Sequence, residues 1–279
     1  MRDPQALRER AGIDPDTRQD QYFLDDERVL DRCLSYAIER DFPFDDVLEI
    51  GPGTGALTSR LLTEARHLTA FERDRTLVEF LRTEFESAIA ADQLTVVQGD
   101  ATSDSLPSFD SCISNLPYGA SSPILFRLLP LKRPLLLLVQ REFGERMAAS
   151  PGTDAYGRLS VSAQHFGTIE VLEIVPPTAF TPQPAVESAF VCVLPVEPSY
   201  QVDDEEFFLR LTKAIFTQRR KTLRNAIRNT THISGIADAQ PIIGALPDEL
   251  LAKRPGTLAP DTFANIANVA YACRGETDG

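Results

Sequence analysis

The feature that most constrains this chain is a glycine-rich corner at residues 47–58, V-L-E-I-G-P-G-T-G-A-L-T. Val47, Leu48 and Ile50 form a short apolar run that suits a buried strand. Gly51, Pro52, Gly53, Thr54 and Gly55 then make a tight turn, and helical composition resumes from Ala56 to Glu64. Glycine tolerates positive φ and carries no Cβ to hold a ligand away. A helix start adds free N–H groups and a positive dipole end. The spacing Gly51, Gly53, Ala56 also satisfies the dinucleotide form G-x-G-x-x-G/A. Taken alone, the corner indicates an adenosine-containing ligand, a nicotinamide among them, or else an ordinary glycine turn.

Beyond the corner, strands and helices alternate regularly. Leu68 to Phe71 reads as a second strand closed by Glu72, and residues 75–90 as an amphipathic helix on Leu77, Val78, Phe80, Leu81, Phe85 and Ile89. Leu94 to Val97 is a third strand, closed by Gly99-Asp100-Ala101. Phe109 to Ser114 is a fourth, ending in Asn115-Leu116-Pro117-Tyr118, and Pro134 to Gln140 is a fifth, apolar without a break up to its closing Gln140, as in a strand covered on both faces. This alternation predicts a parallel, doubly wound α/β sheet with ligands at the carboxyl ends of its strands. Gly51, Glu72, Asp100 and Asn115 all fall at such ends. Glu72, about 20 residues beyond the first glycine, is placed to accept hydrogen bonds from a ribose. Asp100 is placed to accept one from an adenine amino group.

Asn115-Leu116-Pro117-Tyr118 narrows the chemistry. An aromatic amine such as adenine N6 is a poor nucleophile because its lone pair is delocalised into the ring. Acceptors that draw on its two N–H bonds let the nitrogen pyramidalise. The Asn115 side-chain oxygen and the Leu116 carbonyl, fixed by Pro117, suit that task, and Tyr118 can stack on the base. A sulfonium donor leaves readily, so the main work is alignment rather than strong base catalysis. The motif at a fourth strand end, behind a glycine corner, favours amine methylation from S-adenosylmethionine over an Asn-Pro turn.

Beyond the proline-dense loop 175–184, Ser188 to Leu194 completes the strands, and Pro195 to Gln201 reads as a linker. The remainder is helical: Phe207 to Phe216, Arg219 to Ile227, Pro247 to Ala252 and Pro260 to Ala272. The expected domains are a mobile lead-in at 1–20, an α/β domain at 21–195 and a small all-α domain at 196–279. Charge is the odd feature: 41 acidic against 28 basic residues give −13, with lysine only at Lys132, Lys213, Lys221 and Lys253. Such a balance is expected in a salt-saturated cytoplasm, where screening blunts self-repulsion. Against that background Arg219, Arg220, Lys221, Arg224 and Arg228 stand out on one short helix and predict phosphate contact. Cys33, Cys112, Cys192 and Cys273 are expected as reduced thiols, since no C-x-x-C pair occurs, and neither they nor His67, His165 and His232 have metal-ligand spacing. No apolar run is long enough to predict a membrane span, and the N-terminus lacks the apolar core of a signal peptide.

With these residues in place, the chain closely resembles the small-subunit ribosomal RNA adenine N6,N6-dimethyltransferases, the dimethyladenosine transferase family. The resemblance runs from Gln21 to about Tyr271. It rests on Q-Y-F-L (21–24), L-E-I-G-P-G-T-G-A-L-T (48–58), F-E-R-D (71–74), G-D-A (99–101) and N-L-P-Y (115–118). A-Y-G-R-L-S-V (155–161), V-P-P-T-A-F-T-P-Q-P-A-V-E-S-A (175–189) and F-T-Q-R-R-K-T-L-R-N (216–225) make it specific at family level. It implies a class I, Rossmann-like methyltransferase fold with a helical C-terminal domain. It also implies S-adenosylmethionine held by Tyr22, Leu24, Gly51, Gly53, Glu72, Asp100, Ala101 and Asn115, with Tyr22 standing where the family often has Asn or His. Phe180 corresponds to the aromatic expected to sandwich the target adenine against Tyr118. The implied substrate is two adjacent adenines in a loop near the 3′ end of small-subunit (16S) rRNA, each methylated twice on the pre-small subunit. The expected setting is the cytoplasm, with no membrane partner, no metal and a monomeric chain. The competing readings are a methylase of 23S rRNA or DNA adenine, a non-catalytic assembly factor docking on the subunit, and a nicotinamide oxidoreductase.

Overall fold

The protein is described by a computed structural model covering residues 2–13 and 21–275. Its chain divides into two compact units. The first comprises residues up to Gly144 together with Glu170–Pro195, and the second Glu145–Ile169 together with the chain from Val196 onward. One division between the units falls between Pro195 and Val196, and residues 145–169 group with the C-terminal helices instead of the α/β unit.

The first unit opens with α1 (Pro4–Ala11), β1 (Phe23–Leu24) and α2 (Glu27–Glu39). It continues with β2 (Asp46–Ile50), α3 (Ala56–Leu61), β3 (His67–Glu72), α4 (Arg75–Glu84), α5 (Glu86–Ala90) and β4 (Leu94–Gln98). Next come β5 (Ser111–Asn115), α6 (Ser121–Leu128), β6 (Leu135–Gln140) and the start of α7 (Arg141–Ala148). After α8 (Arg158–Phe166), which belongs to the second unit, β7 (Gly167–Val175), β8 (Phe180–Thr181) and β9 (Ser188–Pro195) complete the strands. Seven strands form one sheet in the order β4-β3-β2-β5-β6-β9-β7. β2 lies parallel to β3 and β5, β3 to β4, and β5 to β6, while β9 returns antiparallel to β6. The order reverses around β2, so the ends of β2, β3, β4 and β5 open on one side at a topological switch point. The run Leu135–Val139 is buried throughout, consistent with a strand covered on both faces.

Helix starts are set locally. Asp26 caps α2 by accepting from the backbone N–H groups of Arg28 and Val29, and Asp74 caps α4 through Thr76 and Leu77. The helix expected over 75–90 is broken at Phe85, which separates α4 from α5. The Phe85 ring is buried against the glycine corner, where a Cβ added to Gly55 would lie 2.5 Å from its Cε2. Packing there overrides helical continuity.

The mobile lead-in is corrected over residues 4–11, which form α1; residues 14–20 lie outside the described residues. Asp3 caps it by accepting from Ala6 N–H at 2.6 Å, Pro4 occupies its first turn, and Gly12 closes it in a left-handed conformation. Its Arg10 donates twice to the Glu84 carboxylate on α4, at 3.0 and 2.8 Å, and Arg8 faces Asp25 at 3.3 Å. Leu7 is fully buried in the core of the first unit beside Leu30, Leu57 and Leu81.

The second unit is helical: α9 (Glu205–Phe216), α10 (Leu223–Asn229), α11 (Thr231–Ser234), α12 (Gln240–Ala245), α13 (Asp248–Leu251) and α14 (Pro260–Gly275), with α8 among them. Tyr156 explains why residues 145–169 belong here. Its ring is buried edge-on to Phe216, and its hydroxyl donates to the Leu258 carbonyl at 2.8 Å. Gly152 N–H donates to Gly256 O at 2.8 Å as well.

If α1 is an integral part of the first unit, Leu7→Ala should destabilise the protein by about 2–4 kcal/mol, the cost of emptying a buried leucine site. Denaturant unfolding at constant KCl measures this, and an unchanged midpoint would show that α1 contributes nothing to the core.

Candidate active site

A cavity of about 700 Å³ opens at the strand ends of the first unit, a size suited to a small-molecule ligand. Its lining includes Tyr22, Leu24, Gly51, Gly53, Glu72, Asp100, Ala101, Asn115, Leu116, Pro117 and Tyr118, bringing together every cofactor residue expected from the sequence and four of the five expected catalytic ones.

The corner is built from hydrogen bonds that a glycine backbone permits. Gly51 N–H donates to Phe71 O at 3.0 Å, and Gly53, at φ +58°, turns its N–H toward Glu72 Oε2 at 3.3 Å. Glu72 is only 7% exposed, and its other oxygen accepts from Asp74 N–H at 2.9 Å. Burial pushes the Glu72 carboxyl up, and the backbone donors of Asp74, Gly53 and Arg73 oppose that rise. The carboxylate is thus aimed by the backbone donors of the fold itself. Asp100 is oriented differently. Its Oδ1 accepts from the N–H and the hydroxyl of Thr102 at 2.8 and 2.7 Å, and these bonds, foremost, hold its carboxyl below the usual range.

The Asn115–Tyr118 turn borders the same corner. A Cβ on Gly51 would lie 3.6 Å from Pro117 Cδ and 3.7 Å from Asn115 O, so the two motifs are in van der Waals reach. Leu116 N–H donates to Leu138 O at 3.0 Å, and the first residue of α6, Ser121, donates its hydroxyl to Pro117 O at 3.0 Å. Tyr118 is held at its tip by a 2.6 Å hydrogen bond between its hydroxyl and Ser188 Oγ. One face of its ring is covered by Tyr22, with centroids 5.4 Å apart and planes at 24°.

Phe180 is where the sequence reading is corrected. It is 2% exposed, does not line the cavity, and packs in the core with Leu24 and Leu30. The cause is β8: Phe180 pairs with Leu24 and Thr181 with Phe23 in a two-stranded ladder, which fixes the loop beneath β1. In this conformation the ring stacked on Tyr118 is Tyr22. Phe180 instead supports the strand that carries Phe23 over the corner, where a Cβ on Gly53 would lie 3.1 Å from the Phe23 ring.

The basic cluster is corrected in its secondary structure. Thr222 is extended and caps α10 through Asn225 N–H, so only Arg224 and Arg228 are helical, and Arg219, Arg220 and Lys221 lie in the preceding turn. Arg219 donates to Thr153 O at 2.9 Å and Arg224 to Asp248 at 2.5 Å, while Arg220, Lys221 and Arg228 are exposed. Among the described residues no group of three or more His, Cys, Asp or Glu side chains is placed to hold a metal, and no helix is long and apolar enough to cross a membrane. Cys33, Cys112 and Cys192 are buried and, like the half-buried Cys273, unbridged.

Sequence reasoning passed over Glu49. It lines the cavity at 1% exposure, accepts from the Thr58 hydroxyl at 2.6 Å, and is pushed up to about 8 by burial, with the charge of Glu72 adding to the rise. The available signal was a lone acid inside the apolar strand V-L-E-I. A carboxyl raised in the folded state favours folding while it keeps its proton. Its contribution is full below about 4.5 and is lost as pH rises toward about 8. Glu49→Gln should therefore gain stability relative to the parent between about pH 5 and about pH 8. Unfolding free energies across that range test this, and a pH-independent gap between the two proteins would contradict it.

Comparison with known proteins bears on the identity of this site. Residues 16–245 match the family described as ribosomal RNA adenine dimethylase. A Haloquadratum walsbyi protein named probable ribosomal RNA small subunit methyltransferase A is 57% identical over 270 residues, covering 97% of this chain and 91% of that one. One of the same name from Natronomonas pharaonis is 56% identical over 279 residues, the full length of both. Among solved structures, a dimethyladenosine transferase from Plasmodium falciparum matches with TM-score 0.73 and 26% identity, covering 90% of this chain and 98% of that one. The 23S rRNA methyltransferase ErmE, at TM-score 0.64 and 23% identity over 89% of this chain and 99% of its own, shares the fold. Site and similarity agree: the chain belongs to the ribosomal RNA adenine dimethylase family, and it is a methyltransferase that uses S-adenosylmethionine.

Proposed function

We propose that this protein dimethylates N6 of two adjacent adenines in a loop near the 3′ end of small-subunit (16S) rRNA, acting in the cytoplasm on the maturing small subunit. The observation that carries this reading is the convergence of Gly51, Glu72, Asp100 and Asn115, each from a different strand end, on one cavity with Tyr118 at its lining. The names borne by the haloarchaeal relatives supply the subunit.

The residues present fit S-adenosylmethionine. The corner leaves room for a ligand where side chains would otherwise stand, Glu72 offers a pre-set acceptor for ribose hydroxyls, and Asp100 with Ala101 borders the place for the purine. When bound, S-adenosylmethionine supplies a methyl group on a positively charged sulfur with a neutral thioether as leaving group. Asn115 Oδ1 and the Leu116 carbonyl accept hydrogen bonds from the target amine and direct its lone pair toward the cavity. Tyr118, anchored by Ser188, gives the base a stacking face at low entropic cost. The adenine must be unstacked to reach it, which is cheapest in a loop, and Tyr22 must yield the face it covers. Arg220, Lys221 and Arg228 are the exposed cations suited to RNA phosphates.

Mass spectrometry of small-subunit rRNA incubated with protein and S-adenosylmethionine tests the proposal. The parent should yield dimethyladenine at adjacent positions, and Asn115→Ala should lose at least about 100-fold in rate, as when a group aligning the transition state is removed. Methylation of large-subunit rRNA or DNA in place of the small subunit would overturn the target, and full activity of Asn115→Ala would overturn its role.

A further inference from the structure

A half-buried arginine outside the expected site ties the methylation motif to the purine end of the cavity. α6 begins immediately after Asn115–Tyr118, with Ser121 donating to Pro117 O, and its Pro123 and Ile124 line the cavity. One turn further, Arg127 reaches the loop that follows β4. Its Nη1 donates to Ala101 O and its Nη2 to Asp104 O, both at 2.6 Å. The loop is closed on itself around the same points: Asp100 N–H donates to Asp104 Oδ2 at 2.8 Å, and Asp104 N–H returns to Asp100 O at 2.8 Å. Ser103, Asp104 and Ser105 are exposed, so little apolar burial holds this segment. Its start is pinned by Gly99 N–H donating to Glu72 O at 2.9 Å, and the guanidinium ties its far part, Ala101 to Asp104, to α6.

We propose that Arg127 is a positioning residue for the cofactor: its two-pronged clamp on the Ala101 and Asp104 carbonyls holds the loop that presents Asp100, and anchors that loop to the helix that follows the Asn115–Tyr118 turn. A planar fork with two parallel donors suits two carbonyls at fixed spacing, and charge-assisted bonds are the stronger kind. A lysine offers one point charge and cannot span both. Without the clamp, the loop is free to sample other arrangements, and the ordering cost falls on cofactor binding. The proposal rests on the assignment of this cavity to S-adenosylmethionine and is independent of which RNA is methylated.

The test titrates the full-length protein with S-adenosylhomocysteine by calorimetry, and measures KM for S-adenosylmethionine, KM for RNA and kcat. Arg127→Met should weaken S-adenosylhomocysteine binding and raise KM for S-adenosylmethionine by about tenfold or more, with kcat at saturating cofactor and KM for RNA within about twofold of the parent. Arg127→Lys should recover part of the loss. Arg133→Met, which removes a neighbouring cation that faces Asp110 at 3.5 Å, should leave binding unchanged. A parent-like dissociation constant for Arg127→Met overturns the proposal. So does a loss in which kcat, both KM values and the unfolding midpoint of Arg127→Met and Arg127→Lys all deteriorate together, which is the pattern of general destabilisation. If the parent itself fails to bind S-adenosylhomocysteine, the cofactor assignment fails rather than the role of Arg127.

Discussion

Glu72 and the turn leaving β2 depend on each other. The turn must pass through backbone conformations that expose N–H groups near a cavity, and such groups, left without acceptors away from water, are costly. The buried carboxylate at the end of β3 accepts from Gly53 on one oxygen and Asp74 on the other. That pair of contacts joins the end of β3 to the corner after β2 and to the cap of α4. The same corner lies close to Pro117 and Phe23, which a Cβ added at Gly51 or Gly53 would meet, so the methylation turn and β1 are located relative to it. Moving Glu72 would therefore disturb three elements, not one. The fold has made the site by making its central turn satisfiable.

Much of this was legible because the first unit obeys local rules. Strand ends in a parallel sheet are marked by where apolar runs stop, so Gly51, Glu72, Asp100 and Asn115 could be placed on one side from pattern alone. What was not legible depended on contacts distant in sequence. Phe85 belongs by periodicity to one long helix, yet its ring is drawn to the glycine corner and divides that helix. Phe180 has the composition of a stacking residue, yet pairing of β8 with β1 turns it into the core. Residues 145–169 read as part of the α/β domain, yet Tyr156 and Gly152 bond to residues about a hundred positions later. α1 is a different case: its Asp-Pro start and terminal glycine were visible signals, overshadowed by a polar composition that suggested a mobile segment.

The chain reconciles strong acidity with a nucleic-acid substrate by locality. A net charge of −13 repels a polyanion at long range, but screening in concentrated salt shortens that range to a few ångströms. On the proposed reading, cations in the turn before α10 act only on phosphates already close to them. Long-range attraction contributes little under these conditions, so the proposed recognition leans on shape and on the stacking assigned to Tyr118. Two of the five basic residues are engaged within the protein, Arg219 with Thr153 and Arg224 with Asp248, so the proposed phosphate contact is assigned chiefly to Arg220, Lys221 and Arg228.

On the proposed function, one cavity, bounded by the glycine corner, Glu72, Asp100 and the Asn115–Tyr118 turn, holds the methyl donor with its reactive end facing that turn. A crystal structure determined with S-adenosylhomocysteine tests it most directly. The account predicts ribose hydroxyls on the Glu72 carboxylate, the purine beside Asp100 and Ala101, and the sulfur on the side of Asn115 and Tyr118. Ligand bound away from Glu72, or with its sulfur turned from Asn115, would contradict it.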